Sequence, residues 1–314
     1  MKPTTLHRAL VRSIFAAAAV LWATTAHAEI SITLKNTFIE KYKNRATIDA
    51  QFVVDHSKGK ANSPSADGDM HASGRDAANI GLATVAEIMN AKDHKDAINA
   101  TVAAEGTGQP IAISGAWRIW NEHGGDNTFT QGKPLAAAQT TNPDHVFEIH
   151  PITKVGSISL LDSFKEIPGY QPKQPDVAFP HYDQIRSKII PRKTTTTIIS
   201  AGIGYNYVKF QMVLAEKPIP VEDGALAKAE IRDLEGHMLL RSKRMIFVKD
   251  TPPELAVRDN AASTCLRVLG IPRVDLALVA WRVKNRKDER DPLNWNLPYE
   301  IIVAGVYNEP CVED

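Results

Sequence analysis

Three short stretches concentrate the residue types that do chemistry: Asp67-Gly68-Asp69-Met70-His71, Arg118 to His123, and Glu148-Ile149-His150-Pro151. If the first is extended, side chains alternating with period two put Asp67, Asp69 and His71 on one face. The same rule places Glu148 and His150 together, opposite Phe147 and Ile149. It groups Arg118, Trp120 and Glu122 on one face of the remaining stretch, with Trp117, Ile119 and His123 on the other. Carboxylate and imidazole together suit a divalent ion such as zinc or manganese, which a hydrolase uses to acidify a water. A neutral histidine–carboxylate pair can instead serve general acid–base chemistry. The candidate metal ligands are therefore Asp67, Asp69, His71, Glu148 and His150, with a divalent ion as the candidate cofactor.

A structural reading competes with both. Asp-Gly-Asp is ordinary turn chemistry, and Glu148 with His150 can form a polar network that holds Arg118 and Glu122. No spacing here matches HExxH or CxxC, and the chain has no GxSxG elbow, no GxxxxGK[ST] loop and no GxGxxG fingerprint. Gly202-Ile203-Gly204 lacks the third glycine, and His181 sits in a proline-rich stretch where a lone histidine is ordinarily solvated.

These stretches, DGDMH, IAISGAWRIWNEH and HVFEIHP, resemble a group of exported bacterial proteins of uncharacterised function with an OB-like core. Their pattern is an Asp-Gly-Asp-x-His strand, a Gly-x-x-Arg strand ending near Glu-His, and a final Glu-x-His-Pro strand. The matching positions are Asp67, Gly68, Asp69, His71, Gly115, Arg118, Glu122, His123, Glu148, His150 and Pro151. The resemblance covers about a hundred residues and implies a fold and a site rather than a reaction. Asp-Gly-Asp is also similar to the staphylococcal-nuclease type of OB barrel, but the further carboxylates and arginines of that type have no counterpart here at matching spacing.

The elements that must position these groups are mainly β. Residues 46–54, 111–120 and 146–155 have the β-branched, aromatic, alternating character of strands, and 67–71 adds a short one. Leu82, Val85, Ala86 and Met89 recur at helical spacing and predict a helix over 82–91. The order fits an OB-like small barrel with one capping helix over 29–160. A proline-rich connector, 161–195, interrupts regular structure at Ile167-Pro168-Gly169. Beyond it, six short strands, at 194–200, 205–214, 225–233, 238–248, 277–283 and 299–307, predict an all-β domain of antiparallel sandwich type over 196–314. Trp281, Tyr299 and Tyr307 fall at strand-like positions and Trp295 just before one, so core burial is the default for all four. No repeat at a fixed period is visible.

The first 28 residues have the three parts of a Sec-type signal peptide: basic Lys2, Arg8 and Arg12, an apolar run from Ile14 to Trp22, and Ala26-His27-Ala28 before Glu29. Cleavage after Ala28 leaves 34 basic against 36 acidic residues, because the segment removes three basic residues and no acidic ones from 37 and 36. No transmembrane segment remains, and the destination is the periplasm or the exterior. That near-neutral balance lacks the dense cationic surface that nonspecific nucleic-acid binding needs. Lys284 to Lys287 is followed at once by Asp288-Glu289 and reads as a solvated turn. The two cysteines, Cys265 and Cys311, lack CxxC spacing, and in an oxidising compartment they predict a disulfide. The expectation is an exported, non-catalytic two-domain protein that binds a glycan, peptide or protein partner through Arg118, Trp120 and Glu122. The competing expectation is a metal-dependent hydrolase built on the His/carboxylate set.

Overall fold

The computed structural model describes residues 29–125, 127–202, 204–286 and 293–312; the signal segment and Lys287 to Glu289 lie outside these. The chain opens with β1 (Glu29–Lys35) and α1 (Asn36–Tyr42), then β2 (Thr47–Ser57), β3 (Met70–Arg75), β4 (Thr84–Ile88), α2 (Lys95–Ala104), β5 (Pro110–Ile119), β6 (Thr128–Thr130), β7 (Phe147–Val155) and β8 (Ile158–Ser159). A connecting stretch carries α3 (Pro175–Gln184), β9 (Arg186–Pro191) and β10 (Thr195–Ala201). The remainder is β11 (Val208–Leu214), β12 (Ile219–Val221), β13 (Gly224–Arg232), β14 (Met238–Val248), α4 (Pro252–Val257), β15 (Cys265–Val274), α5 (Leu276–Lys284), β16 (Leu293–Asn296) and β17 (Tyr299–Val306).

Strands β4-β3-β2-β5-β7 are joined in that order, and a parallel β4–β7 pairing closes them into a five-stranded OB-like barrel. The mainly-β class and the OB-like first domain are as the alternation implies. The helix, however, is α2; residues 84–88 form β4 instead. Every residue of β4 is buried, so the strand shows no alternation, and its apolar spacing imitates a helix.

The second half closes as well. Strands β11-β15-β17-β14-β13 are joined in order, with β11–β13 antiparallel and β14–β17 parallel, giving a second barrel where a sandwich-like pair of sheets was expected. A non-local parallel pair leaves no local sequence signal, which is why closure is invisible in the turn spacing. Residues 277–283, expected as a strand, lie within α5, whose N-cap Asp275 accepts a hydrogen bond from the Leu278 amide. The connector is also structured: Pro175 starts α3 at a position that tolerates proline, because the first-turn amide has no intrahelical acceptor.

Both barrels repeat one plan. Arg118 of β5 pairs across from Glu148 of β7, and Arg273 of β15 from Glu300 of β17. Three residues before each arginine is a glycine with no room for a side chain: a Cβ on Gly115 would lie 2.6 Å from Ile149, and one on Gly270 2.6 Å from Ile301. Each of these isoleucines directly follows the paired glutamate. The repeat is one of topology carried by a few residues at unequal spacing, so no period betrays it.

The barrels meet through these arginines. Arg118 Nε donates to the Pro272 carbonyl at 3.0 Å, while Arg273 Nη1 donates to the Trp117 carbonyl at 3.0 Å and its Nη2 to the Arg45 carbonyl at 2.9 Å. Each guanidinium thus reaches the residue that precedes its counterpart in the other barrel. Arg273 also lies over the Trp117 ring, 3.5 Å from its centre, and bonds Glu300 Oε1 at 2.7 Å. Arg244 joins Glu300 at 3.0 Å and reaches the Lys43 carbonyl, and Asp223 accepts from the Ala46 and Thr47 amides, so the entry to β2 is gripped by barrel two. An apolar layer including Ala116, Met89, Ile246, Ile271 and Ile302 fills the interface. A third sheet, β16-β9-β10-β1-β6, draws a strand from each barrel's loop and spans both. Cys265 and Cys311 form the disulfide, which fastens the C-terminal tail to the start of β15.

Burial pushes Glu300 up to about 7, against the pull of Arg273 and Arg244. A carboxyl raised in the folded state keeps its proton where the unfolded chain has lost it. Its contribution to stability is full below about pH 4.5 and falls away as pH rises through 7. Denaturant unfolding at a series of pH values should show this loss in the native sequence and a flatter profile in Glu300→Gln; identical profiles would contradict it.

Candidate functional site

The side chains singled out by alternation do converge, on the face of β7 opposite Phe147 and Ile149. Asp69 enters from the residue before β3, His71 from β3, Glu87 from β4, Arg118 from β5, and Glu148 and His150 from β7. His150 Nε2 lies 3.2 Å from Asp69 Oδ2, and its Nδ1 lies 3.4 Å from Glu87 Oε2 and 3.6 Å from Glu148 Oε2. His71 stands 3.6 Å from Glu87. Arg118 donates to Glu148 at 2.6 Å and to Glu122 at 3.0 Å. His145 Nε2 lies 3.3 Å from Glu148, and its ring stacks on His123 with centres 5.0 Å apart.

Tyr207, just ahead of β11, closes the cluster. Its hydroxyl donates to Asp69 Oδ2 at 2.6 Å and so must accept from His150 Nε2, 2.7 Å away. Burial pushes this phenol well above its usual range, with the Asp69 charge adding to the effect, which keeps it a donor. Burial likewise raises Asp69 to about 6, opposed by His150. For His150 burial acts downward, but Glu87 and the hydrogen-bonding carboxylates Asp69 and Glu148 outweigh it and lift the imidazole to about 10. Glu148 is the reverse: burial would raise it, yet Arg118 and the two histidines hold it well below the carboxylate range.

Not every expected residue joins. Asp67 serves the turn, its Oδ1 accepting from Asn62 Nδ2 and from the Asp69 amide. Arg118 and Trp120, expected as an exposed binding face with Glu122, are each only 1% exposed. Barrel two covers this outer face of barrel one, and Trp120 packs edge-on against Tyr182 and Tyr299. Of the three, Glu122 alone keeps partial solvent contact. Glu87, His145 and Tyr207 were not anticipated. Glu87 was hidden by the helical reading of its strand, and Tyr207 belongs to a segment far away in sequence. His145 stands three residues before Glu148, and that nearness was the one available signal.

Two sets of ligand atoms lie within 4.8 Å of one another, Asp69/Glu87/His150 and Glu87/His145/Glu148, with Glu87 common to both. The cluster is closed: Asp69 and His150 are fully buried, and Glu87 and Glu148 are exposed by 3% or less.

A separate concavity lies away from this cluster. A groove of about 780 Å³ runs over the third sheet, lined by residues of α3, β9, β10 and β16. Trp295 borders it and is half exposed, as is Trp281 on α5, so neither tryptophan takes the core position expected of it. Tyr299, by contrast, is buried. No family model matches the chain, and no curated protein matches it.

Among the described residues, Arg118 is the permanent cation bonded to both Glu148 and Glu122. Its replacement in Arg118→Met should cost about 3–5 kcal/mol in chemical denaturation, because it strands buried charge. Pairing it with Glu148→Leu should recover part of that loss, and additive losses would show that the two do not act as a pair.

Proposed function

We propose that the protein is exported and non-catalytic, and that it binds a glycan in the groove of the third sheet. The observation that carries this reading is Trp295, half exposed at the rim of a groove whose lining mixes apolar Ile185, Ile199 and Ala201 with polar and charged side chains. An indole face offers a flat apolar platform for the C–H face of a sugar ring, while flanking amide, hydroxyl and charged groups select among hydroxyl patterns. Arg282 lies over the Trp295 ring, 5.1 Å from its centre, and donates to the Asn296 carbonyl, which steadies the indole. Asn294, Gln184, His181, Arg186 and Ser187 supply donors and acceptors around it. A mixed lining with no dominant charge suits a neutral polyhydroxylated ligand better than a polyanion.

Catalysis by the carboxylate–imidazole cluster has less support, because a substrate would have to reach side chains that are almost wholly buried. Export rests on the N-terminal pattern of Lys2 to Ala28, and the Cys265–Cys311 disulfide accords with an oxidising destination. No helix among the described residues is long and apolar enough to cross a membrane.

Calorimetric titration with a panel of bacterial cell-wall and exopolysaccharide oligosaccharides tests the reading. At least one should bind, and Trp295→Ala should weaken it about tenfold, corresponding to about 1.4 kcal/mol of lost stacking. Binding of peptides but of no glycan, or glycan binding indifferent to Trp295, would refute it.

A further inference from the structure

Independently of the groove, we propose that Asp69, Glu87 and His150 hold one divalent transition ion, of zinc or manganese chemistry, as a structural centre of barrel one. Each of the three residues contributes one atom that is buried without a hydrogen-bond partner: Asp69 Oδ1, Glu87 Oε2 and His150 Nδ1. Buried polar atoms are nearly always satisfied; His150 Nδ1 and Glu87 Oε2 face each other at 3.4 Å, yet neither they nor Asp69 Oδ1 makes a hydrogen bond, and the three together call for a common partner. One possible ligand atom from each residue lies within 4.8 Å of the others, close enough to share an ion.

The surroundings prepare the imidazole for this task. Tyr207 donates its proton to Asp69 and accepts from His150 Nε2, which holds a hydrogen on Nε2 and makes Nδ1 the nitrogen that would ligate, the ion displacing the proton that Nδ1 otherwise carries. Nδ1 is also the nitrogen that faces Glu87. Charge points the same way. Asp69, Glu87 and Glu148 are buried together, while the nearby permanent cation, Arg118, is already shared between Glu148 and Glu122. Two carboxylates and one imidazole form a donor set of intermediate softness, suited to zinc or manganese.

Barrel two supplies the control. Matching Glu148 to Glu300 through their paired arginines makes His150 equivalent to Ile302. The parallel pairs Ala86–Ile149 and Met245–Ile301 then equate Glu87 with Ile246. The antiparallel pairs Met70–Ile88 and Ala225–Phe247 place Asp69 at Gly224. The same architecture therefore closes with glycine and two isoleucines where barrel one has two carboxylates and an imidazole. The fold does not need these polar groups, and an ion gives them a purpose. With its ligands closed off from solvent, such a centre ties β3, β4 and β7 together rather than activating a water.

The test is elemental analysis of the protein purified without chelator or added metal, together with thermal unfolding. About one equivalent of zinc or manganese per chain is expected, falling at least about tenfold in Glu87→Gln and in His150→Gln. If either variant fails to fold, the native protein decides alone: stripped with chelator, it should regain several degrees of melting temperature on addition of Zn²⁺ or Mn²⁺, saturating near one equivalent. Less than about a tenth of an equivalent with no thermal response to either ion, or metal retained in both folded variants, would overturn the proposal and leave a proton on Nδ1 as the compensating charge.

Discussion

Two buried guanidinium groups, each reaching into the opposite barrel, set the terms for the rest of this structure. Arginine cannot shed its proton in a protein interior, so a buried guanidinium must find acceptors for a rigid fork of donors. Arg118 finds Glu148, Glu122 and the Pro272 carbonyl; Arg273 finds Glu300 and the carbonyls of Arg45, Ala46 and Trp117. Separating the barrels would strip both forks of their cross-barrel carbonyls and leave carboxylates and guanidiniums half-satisfied at a freshly wetted apolar surface. The relative position of the barrels is thereby tied to the hydrogen-bond geometry of two side chains, and the third sheet, whose strands come from both halves, inherits that rigidity.

The duplication makes the asymmetry informative. Glycine, arginine, glutamate and isoleucine recur at equivalent places because each serves the shared plan: close approach of two strands, the interlock, its counter-charge and the core. What differs is the neighbouring set. Asp69, His71, Glu87 and His150 stand where barrel two has Gly224, Leu226, Ile246 and Ile302. Polar side chains in a buried face are costly unless they are mutually satisfied or neutralised. Tyr207, contributed by the approach to barrel two, completes that set, so the polar cluster depends on the same docking that the arginines maintain.

Period-two alternation made most of the strands legible, along with the shared face of Glu148 and His150 and the nearness of Asp69 and His71 to it. The disulfide followed from cysteine count and compartment. What escaped did so for definable reasons. Strand β4 is buried on both faces and carries no polar phase, so Glu87 was lost with it. Helix α5 is rich in Val, Leu and Trp, and its N-cap Asp275 was the slender sign of its true conformation. Arg118 and Trp120 alternate as surface residues should, yet their surface is another barrel. Trp281 and Trp295 show the converse, since aromatic character signals burial only when something arrives to cover it. For β4, Arg118 and Trp120 the outcome was decided by packing between distant segments, which local pattern does not encode.

If the reciprocal arginines make one body of the two barrels, the chain should unfold as one. Scanning calorimetry of the native protein tests this directly. A single transition whose calorimetric and van't Hoff enthalpies agree is the expected result, whereas two resolved transitions, each the size of one barrel, would show that the arginines decorate an interface that does not couple its halves.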